Sequence, residues 1–152
     1  MSATKLNHVE KNIPVEAGEK HLTIVLYSPD MDFCFSLRLL LQDRYNMVTI
    51  TDHRMLLMTV RDFKADLVIV DSVLTDKMVS RFEAMKRENP QVRILLFYVS
   101  RFDDKRVHDF IRQSVDEAFS KPIDLTEVTE SIHELMAQEP GTTDVSLRHN
   151  SK

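Results

Sequence analysis

Five short apolar runs, rich in β-branched residues, alternate along the chain with five segments of helical spacing. The runs cover residues 21–27, 47–51, 66–70, 92–99 and, more weakly, 117–120. Runs that are apolar on both faces are typical of parallel strands covered by helices on each side. In the segments between them, large apolar side chains recur three or four residues apart, as they do along one face of a helix. The alternation predicts an α/β fold, a doubly wound sheet of five parallel strands in a three-layer α/β/α arrangement.

The helical segments begin with residues that commonly start helices. Ser28 and Pro29 follow the first run and form a cap and first-turn pair. Asp124 and Glu127 form a capping box before the last helix. We expect one domain, residues 21–137, with a flexible polar arm over residues 1–20 and a flexible polar tail over residues 138–152.

The composition narrows the function. A formal net charge of −4 argues against direct nucleic-acid binding, which depends on basic surface. The chain has only two glycines, both outside the apolar runs, so P-loops and dinucleotide fingerprints are excluded because phosphate-cradling loops need glycine. With a single cysteine and no apolar run of about 18 residues, we expect a cytoplasmic protein without a membrane span.

Three polar side chains stand where predicted strands end. Asp30 follows the first run, Asp71 ends the third, and Lys121 follows the fifth, directly before a proline. In an open α/β sheet the working crevice lies beyond the carboxyl ends of the strands, near the switch in strand order. We therefore expect these side chains to converge there.

Asp71 and Lys121 have the chemistry of a phosphoryl-acceptor site. An aspartate facing an ammonium group stays ionised at neutral pH, because an opposite charge favours the charged form. A carboxylate open to solvent beside such a cation can accept a phosphoryl group, and the lysine can neutralise charge on the transferred oxygens. From spacing alone, an equally good interpretation is that Asp71 starts a loop and Lys121 is an ordinary surface lysine.

Two segments resemble two-component response-regulator receiver domains. ADLVIVDSV (65–73) is similar to the phosphoacceptor strand of that family, and FSKPID (119–124) to its Lys-Pro strand end. The resemblance covers about residues 21–137, with the five β-α units in order. It implies a CheY-like, flavodoxin-like fold and a phosphoprotein of phosphorelay signalling, with Asp71 as phosphoacceptor and Lys121 as the lysine that contacts the phosphoryl group.

The metal side of the site departs from the family's pattern. Receiver domains normally carry two adjacent acidic residues after the first strand to hold Mg²⁺, and those positions are Ser28 and Pro29 here. Mg²⁺ takes near-octahedral oxygen ligation, usually with one or two carboxylates. Asp30 and Asp71 are then the candidate ligands, and the loss of charge should weaken metal binding and metal-dependent transfer.

The switch positions implied by the resemblance are altered as well. The family has Thr or Ser at the end of the fourth strand, where this chain has Tyr98 or Val99, and Ser100 is the nearest hydroxyl of the usual type. Ala118 stands where the family usually has an aromatic residue. One hypothesis is that Tyr98 fills the space beside Ala118; the alternative is that Tyr98 packs in the core with its hydroxyl at the rim.

These patterns predict a stand-alone receiver domain of phosphorelay signalling, and not an enzyme. The resemblance implies a histidine kinase or a phosphotransfer protein as its partner. Because the chain is too short for an attached DNA-binding domain, we expect output through contact with a downstream protein or in a homodimer. The expected surface is the face of the fourth helix, fifth strand and fifth helix, which includes Val107, Phe110 and Ile111.

Two alternatives stay open. A phosphorylation-independent pseudo-receiver would keep the fold and act as an interaction or dimerisation module, and Ser28, Pro29 and Ala118 favour it. A small enzyme on a flavodoxin-like sheet would need a phosphate-binding loop or a catalytic dyad, and the sequence has neither.

Overall fold

The computed structural model describes residues 10–12, 21–99, 105–138 and 146–149. Over these ranges the elements are, in order, β1 (Glu10–Asn12), β2 (Thr23–Tyr27), α1 (Met31–Leu41), β3 (Asn46–Ile50), a 3-10 turn (His53–Met55), α2 (Leu56–Asp62), β4 (Leu67–Asp71), α3 (Asp76–Glu88), β5 (Arg93–Tyr98), α4 (Lys105–Ser114), β6 (Glu117–Ser120), α5 (Leu125–Ala137) and β7 (Ser146–His149). Within the described ranges, no helix is long and apolar enough to cross a membrane.

The strands form one sheet in the order β1-β3-β2-β4-β5-β6-β7. The five central strands, β3, β2, β4, β5 and β6, are parallel and are the five that the sequence predicts. The predicted doubly wound α/β fold is confirmed. The order of the strands reverses between β2 and β4, so the crevice expected at the switch point lies beyond their carboxyl ends.

Both edges of the sheet carry a strand that the sequence does not predict. Strand β1 pairs antiparallel with β3, and β7 pairs parallel with β6. These seven residues belong to segments predicted as a flexible arm and tail, and the structure corrects that prediction for them. An edge strand is held by backbone hydrogen bonds on one side, so it needs no apolar pattern. Apart from Gln138, the other residues of the arm and tail lie outside the described ranges.

The core lies on both faces of the sheet, which explains why the runs are apolar throughout. Every position of β4, Leu67–Asp71, is buried. One face packs against α2, α3 and α4, and its buried side chains include Val25, Val68, Leu96, Tyr98, Phe82 and Ile111. The other face packs against α1 and α5, and its buried side chains include Leu26, Ile69, Phe97, Phe119, Leu37 and Ile132.

Candidate functional site

Asp71 is the last residue of β4 and lies at the switch in strand order. Its side chain is only 8% exposed. The parallel register pairs Tyr27 of β2 with Val70 of β4. The next residues, Ser28 just after β2 and Asp71 at the end of β4, therefore lie side by side. The sequence prediction of a carboxylate open to solvent is therefore wrong, because neighbouring side chains cover this one.

Ser28 makes the first of these contacts. Its hydroxyl donates a hydrogen bond to Asp71 Oδ2 at 2.7 Å, and its oxygen accepts one from the backbone amide of Asp30 at 3.0 Å. The side chain is fully buried. The prediction that Ser28 caps the first helix is wrong, since α1 begins at Met31 and its cap is Asp30.

Lys121 makes the second contact, from two strands away. Its backbone amide donates to the carbonyl of Tyr98 at 2.8 Å, which fixes its position after β6. From there the long side chain reaches across β5, and Nζ forms an ion pair with Asp71 Oδ1. The lysine side chain remains 38% exposed, so the pair joins a buried anion to a cation at the surface.

Asp30 lies near this pair, and its side chain caps the amino end of α1. Its Oδ1 accepts hydrogen bonds from the amides of Asp32 at 3.0 Å and Phe33 at 3.2 Å, which satisfies two unpaired donors at the start of α1. Asp30, Asp71 and Lys121 line one shallow depression, whose apolar wall includes Ile123. The structure thus places all three predicted residues around the same opening.

The residues around Asp71 do not fit the ligand set that Mg²⁺ takes. One oxygen of Asp71 faces an ammonium group and the other faces a hydroxyl, while Asp30 is engaged in capping. In the described part of the chain, no group of three or more His, Cys, Asp or Glu residues could hold a metal ion. A hexacoordinate cation would need oxygen ligands that these side chains do not present together.

Asp52, just past the end of β3, is a further carboxylate at this end of the sheet that sequence reasoning missed. It accepts hydrogen bonds from Nε and Nη2 of Arg54 at 3.1 and 3.0 Å and caps the 3-10 turn. The side-chain hydrogen bond from Arg54, followed by the backbone one, lowers the pKa of Asp52 to about 2. The sequence signal for this contact is an aspartate two residues before an arginine. That pattern does not show whether the aspartate caps a helix or binds a ligand.

The predicted switch residues do not all fall within the described structure. Tyr98 ends β5, and burial raises the pKa of its hydroxyl. Tyr98 and Ala118 belong to the same buried cluster on one face of the sheet, as the proposed exchange of side-chain size requires, whereas Phe119 lies on the opposite face. Ser100 lies outside the described residues.

The predicted partner face contributes less apolar surface than expected. Ile111 is fully buried, and Phe110 is half-buried with its ring stacked on Phe82 at 6.0 Å between centroids. These two side chains belong to the core because α4 turns them towards the sheet. The side chain of Val107 lies outside the described residues, and β7 occupies the outer edge of β6.

Comparisons with known proteins give a likeness in structure. No protein-family model matches the chain, and no curated protein matches it either. A CheY-like response regulator receiver domain protein from Methanospirillum hungatei JF-1 has a TM-score of 0.67 at 16% identity, over 77% of this chain and 94% of that one. The N-terminal signal receiver domain of a response regulator from Bacteroides fragilis has a TM-score of 0.67 at 18% identity, over 79% and 100%.

The same fold also occurs in a protein that is not named as a response regulator. A pilus assembly-related protein from Burkholderia pseudomallei K96243 has a TM-score of 0.64 at 19% identity, over 82% of this chain and 95% of that one. At these sequence identities the likeness establishes the fold but not the activity, which has to be argued from the geometry of the site. The chain has the fold of the CheY-like response-regulator receiver domains.

Proposed function

We propose that this chain is a receiver-type signalling module that acts through protein contact, without phosphorylation of Asp71 and without enzymatic activity. The observation that carries the proposal is the pairing of both Asp71 oxygens, one with Lys121 and the other with Ser28. Each oxygen of this carboxylate, whose side chain is 8% exposed, already accepts one contact, and these contacts compete with an incoming phosphoryl group.

The charges of the site support the same proposal. Asp71 and Lys121 together are neutral, and Ser28 adds no charge where receiver domains have an acidic residue, so Asp30 is the one remaining charged residue among the described residues that line the depression. A neutral pair offers a dication little attraction, and phosphoryl transfer relies on such an ion to offset the charge of the phosphate. The cluster therefore suits a side-chain contact between β2, β4 and β6 better than a reacting centre.

A second candidate is a relay in which Asp71 accepts a phosphoryl group from a histidine kinase or a phosphotransfer protein. The observation that favours it is the ion pair itself, at the carboxyl ends of two parallel strands and beside an open depression. In this case the exposed part of Lys121 would swing towards the phosphoryl oxygens, and Ser28 would release Oδ2. The relay proposal predicts a phosphorylated chain, which can be measured, whereas the first proposal predicts none.

Intact-mass measurement after incubation with acetyl phosphate and Mg²⁺ separates the two. Transfer would form an acyl phosphate on an Asp71 oxygen and release acetate, adding one phosphoryl group to the mass. We expect no gain for the wild-type chain. A gain that disappears in Asp71→Asn would establish the relay and remove the first proposal.

A matched variant shows whether the assay could detect transfer in this fold. Ser28→Asp combined with Pro29→Asp restores acidic residues at the two positions where receiver domains have them. We expect this variant to gain mass only with Mg²⁺ present, and circular dichroism at matched concentration establishes that it remains folded.

A further inference from the structure

The exposed apolar side chains of this chain are concentrated on one helix. Seven large apolar residues are exposed in the described part of the chain, and four of them lie on α1. They are Met31, Phe35, Leu39 and Leu40. The inner side of α1 is also apolar and is buried in the core. A surface helix of a monomer normally has one apolar face, and an apolar patch on the other face marks a contact site.

Three of these residues form a stripe, here called the outer stripe. Met31, Phe35 and Leu39 follow one another at four-residue spacing and are 55%, 54% and 49% exposed. Residues four apart on an α-helix lie about 40° apart, so the three share one face with Phe35 at the centre. The guanidinium of Arg38 lies 5.9 Å from the centroid of the Phe35 ring, and the ring is still half exposed.

Charges of opposite sign border the outer stripe on its two sides. Asp32 and Arg38 stand three residues before and after Phe35, which places them about 60° to either side of the centre. Asp43 is the second residue after the end of α1, and continuing the helical turn through Gln42, whose backbone is αR, would place it on the same side as Asp32. One flank is therefore acidic and the other basic.

We propose that the outer stripe is a self-association surface, on which α1 of a second copy packs in parallel orientation. A two-fold axis along the helices sets Phe35 against Phe35 of the second copy. It also sets the acidic flank of each helix against the basic flank of the other, with Arg38 opposite Asp43 of the second copy at an offset of five residues. An antiparallel pair would set acidic flank against acidic flank.

The same charges argue against other occupants. Helices that lie in a membrane surface carry several Lys or Arg residues around the apolar face, whereas this stripe is bordered by one arginine and two aspartates. A partner protein whose surface is strongly acidic or strongly basic would be repelled by the flank of the outer stripe that has the same sign of charge. A second copy carries both signs in the matching places.

The size of the patch sets the expected affinity. A standard interface buries about 800 Å² on each partner, and a single helix face provides less. The dimer is therefore in exchange with the monomer, with a dissociation constant of about 10 µM to 1 mM. The association does not depend on the state of Asp71, so its test stands apart from the phosphorylation test.

Sedimentation equilibrium over about 1 µM to about 1 mM protein tests the proposal. We expect the wild-type chain to dimerise, Phe35→Ser to weaken the dimer about tenfold or more, and Met58→Ser to leave it unchanged. Met58 is the matched control, because it is 41% exposed on α2, away from the stripe. A wild-type chain that stays monomeric over this range overturns the proposal. Equal dimerisation of Phe35→Ser overturns it too.

Disulfide capture tests the parallel orientation. A parallel pair brings residue 39 of each copy together, so Leu39→Cys should form a disulfide-linked dimer under mild oxidation. The wild-type chain is the control, since its single cysteine, Cys34, is buried. Absence of the linked dimer, at concentrations where this variant sediments as a dimer, overturns the parallel arrangement.

Discussion

The two ends of the parallel sheet each have a carboxylate that is mostly covered by its neighbours, and the groups that contact it differ. At the carboxyl end, Asp71 contacts two side chains, those of Ser28 and Lys121. At the amino end, Asp116 accepts a hydrogen bond from the backbone amide of Ile94 at 2.8 Å as well as from Lys86 at 2.9 Å. Backbone groups are fixed by the sheet, whereas a hydroxyl and an ammonium group can turn.

Two further polar contacts of the amino end also use backbone groups. The guanidinium of Arg93, at the start of β5, donates to the carbonyls of Leu135 and Gln138 at the end of α5. Asp66 accepts from the backbone amide of Thr23 at 2.8 Å. The last carbonyls of a helix have no partner within the helix, so Arg93 joins α5 to the sheet. The comparison indicates that the amino end maintains the fold, while the carboxyl end keeps side chains that can change partners.

Arg93→Ala should have the largest effect of four changes that probe this comparison. It removes two charge-assisted hydrogen bonds that join β5 to the end of α5 and leaves the carbonyl of Leu135 with only the Gln138 amide, so we expect a loss of about 2–3 kcal/mol in the free energy of unfolding. Urea denaturation measures it. Arg87→Ala, an exposed arginine of α3, is the control and should change stability by less than about 0.5 kcal/mol. Equal effects of the two changes would show that Arg93 does not anchor α5.

Asp116→Ala should come second, with a loss of about 2 kcal/mol. The change removes the acceptor of the Ile94 amide, a donor at a fully buried residue, and one of two acceptors of Lys86, which keeps the carbonyl of Val92. Asp116→Asn keeps an acceptor oxygen and should lose less. Asp109→Ala removes an exposed ion pair with Arg112 and serves as the control within about 0.5 kcal/mol. If Asp116→Asn loses as much as Asp116→Ala, the charge and not the backbone contact matters.

Asp71→Ala should come third, with a loss of about 1 kcal/mol in the same denaturation experiment. The Ser28 hydroxyl can rotate to another acceptor, and Lys121, 38% exposed, can be hydrated through the adjoining depression. The same truncation at both ends of the sheet makes the comparison direct. A larger loss for Asp71→Ala than for Asp116→Ala would reverse it and make the carboxyl-end cluster the stronger structural link.

Much of the fold follows from the sequence, because apolar period and strand order are local or nearly local properties. The same reasoning brings Asp71 and Lys121 to one edge, since both end parallel strands. The role of Ser28 does not follow, because a serine after a strand can cap a helix or face the next strand, and only the β2–β4 register decides. Edge strand β1 has no apolar signal. Periodicity also cannot tell which side of α1 is covered, so the outer stripe is not predicted.

A pH titration of the link between Tyr45 and His133 should show the smallest effect. Tyr45 Oη and His133 Nδ1 are hydrogen-bonded at 2.7 Å, joining α5 to the segment before β3. Burial, and then the charge of Arg44, lower the pKa of His133 below its ordinary value of 6.5. The unfolded chain then binds the proton more readily than the folded one, so stability falls as the pH drops below 6.5 and levels off below the folded pKa.

Urea denaturation at about pH 7.5 and about pH 5.5 measures this effect in the wild-type chain and in His133→Gln. We expect the wild-type chain to lose more stability over that interval, because the other titrating groups are common to both proteins. Identical losses would mean that His133 takes up its proton as easily in the folded state as in the unfolded one. The hydrogen bond to Tyr45 would then adapt to protonation, as the contacts of Asp71 are expected to adapt at the opposite end of the sheet.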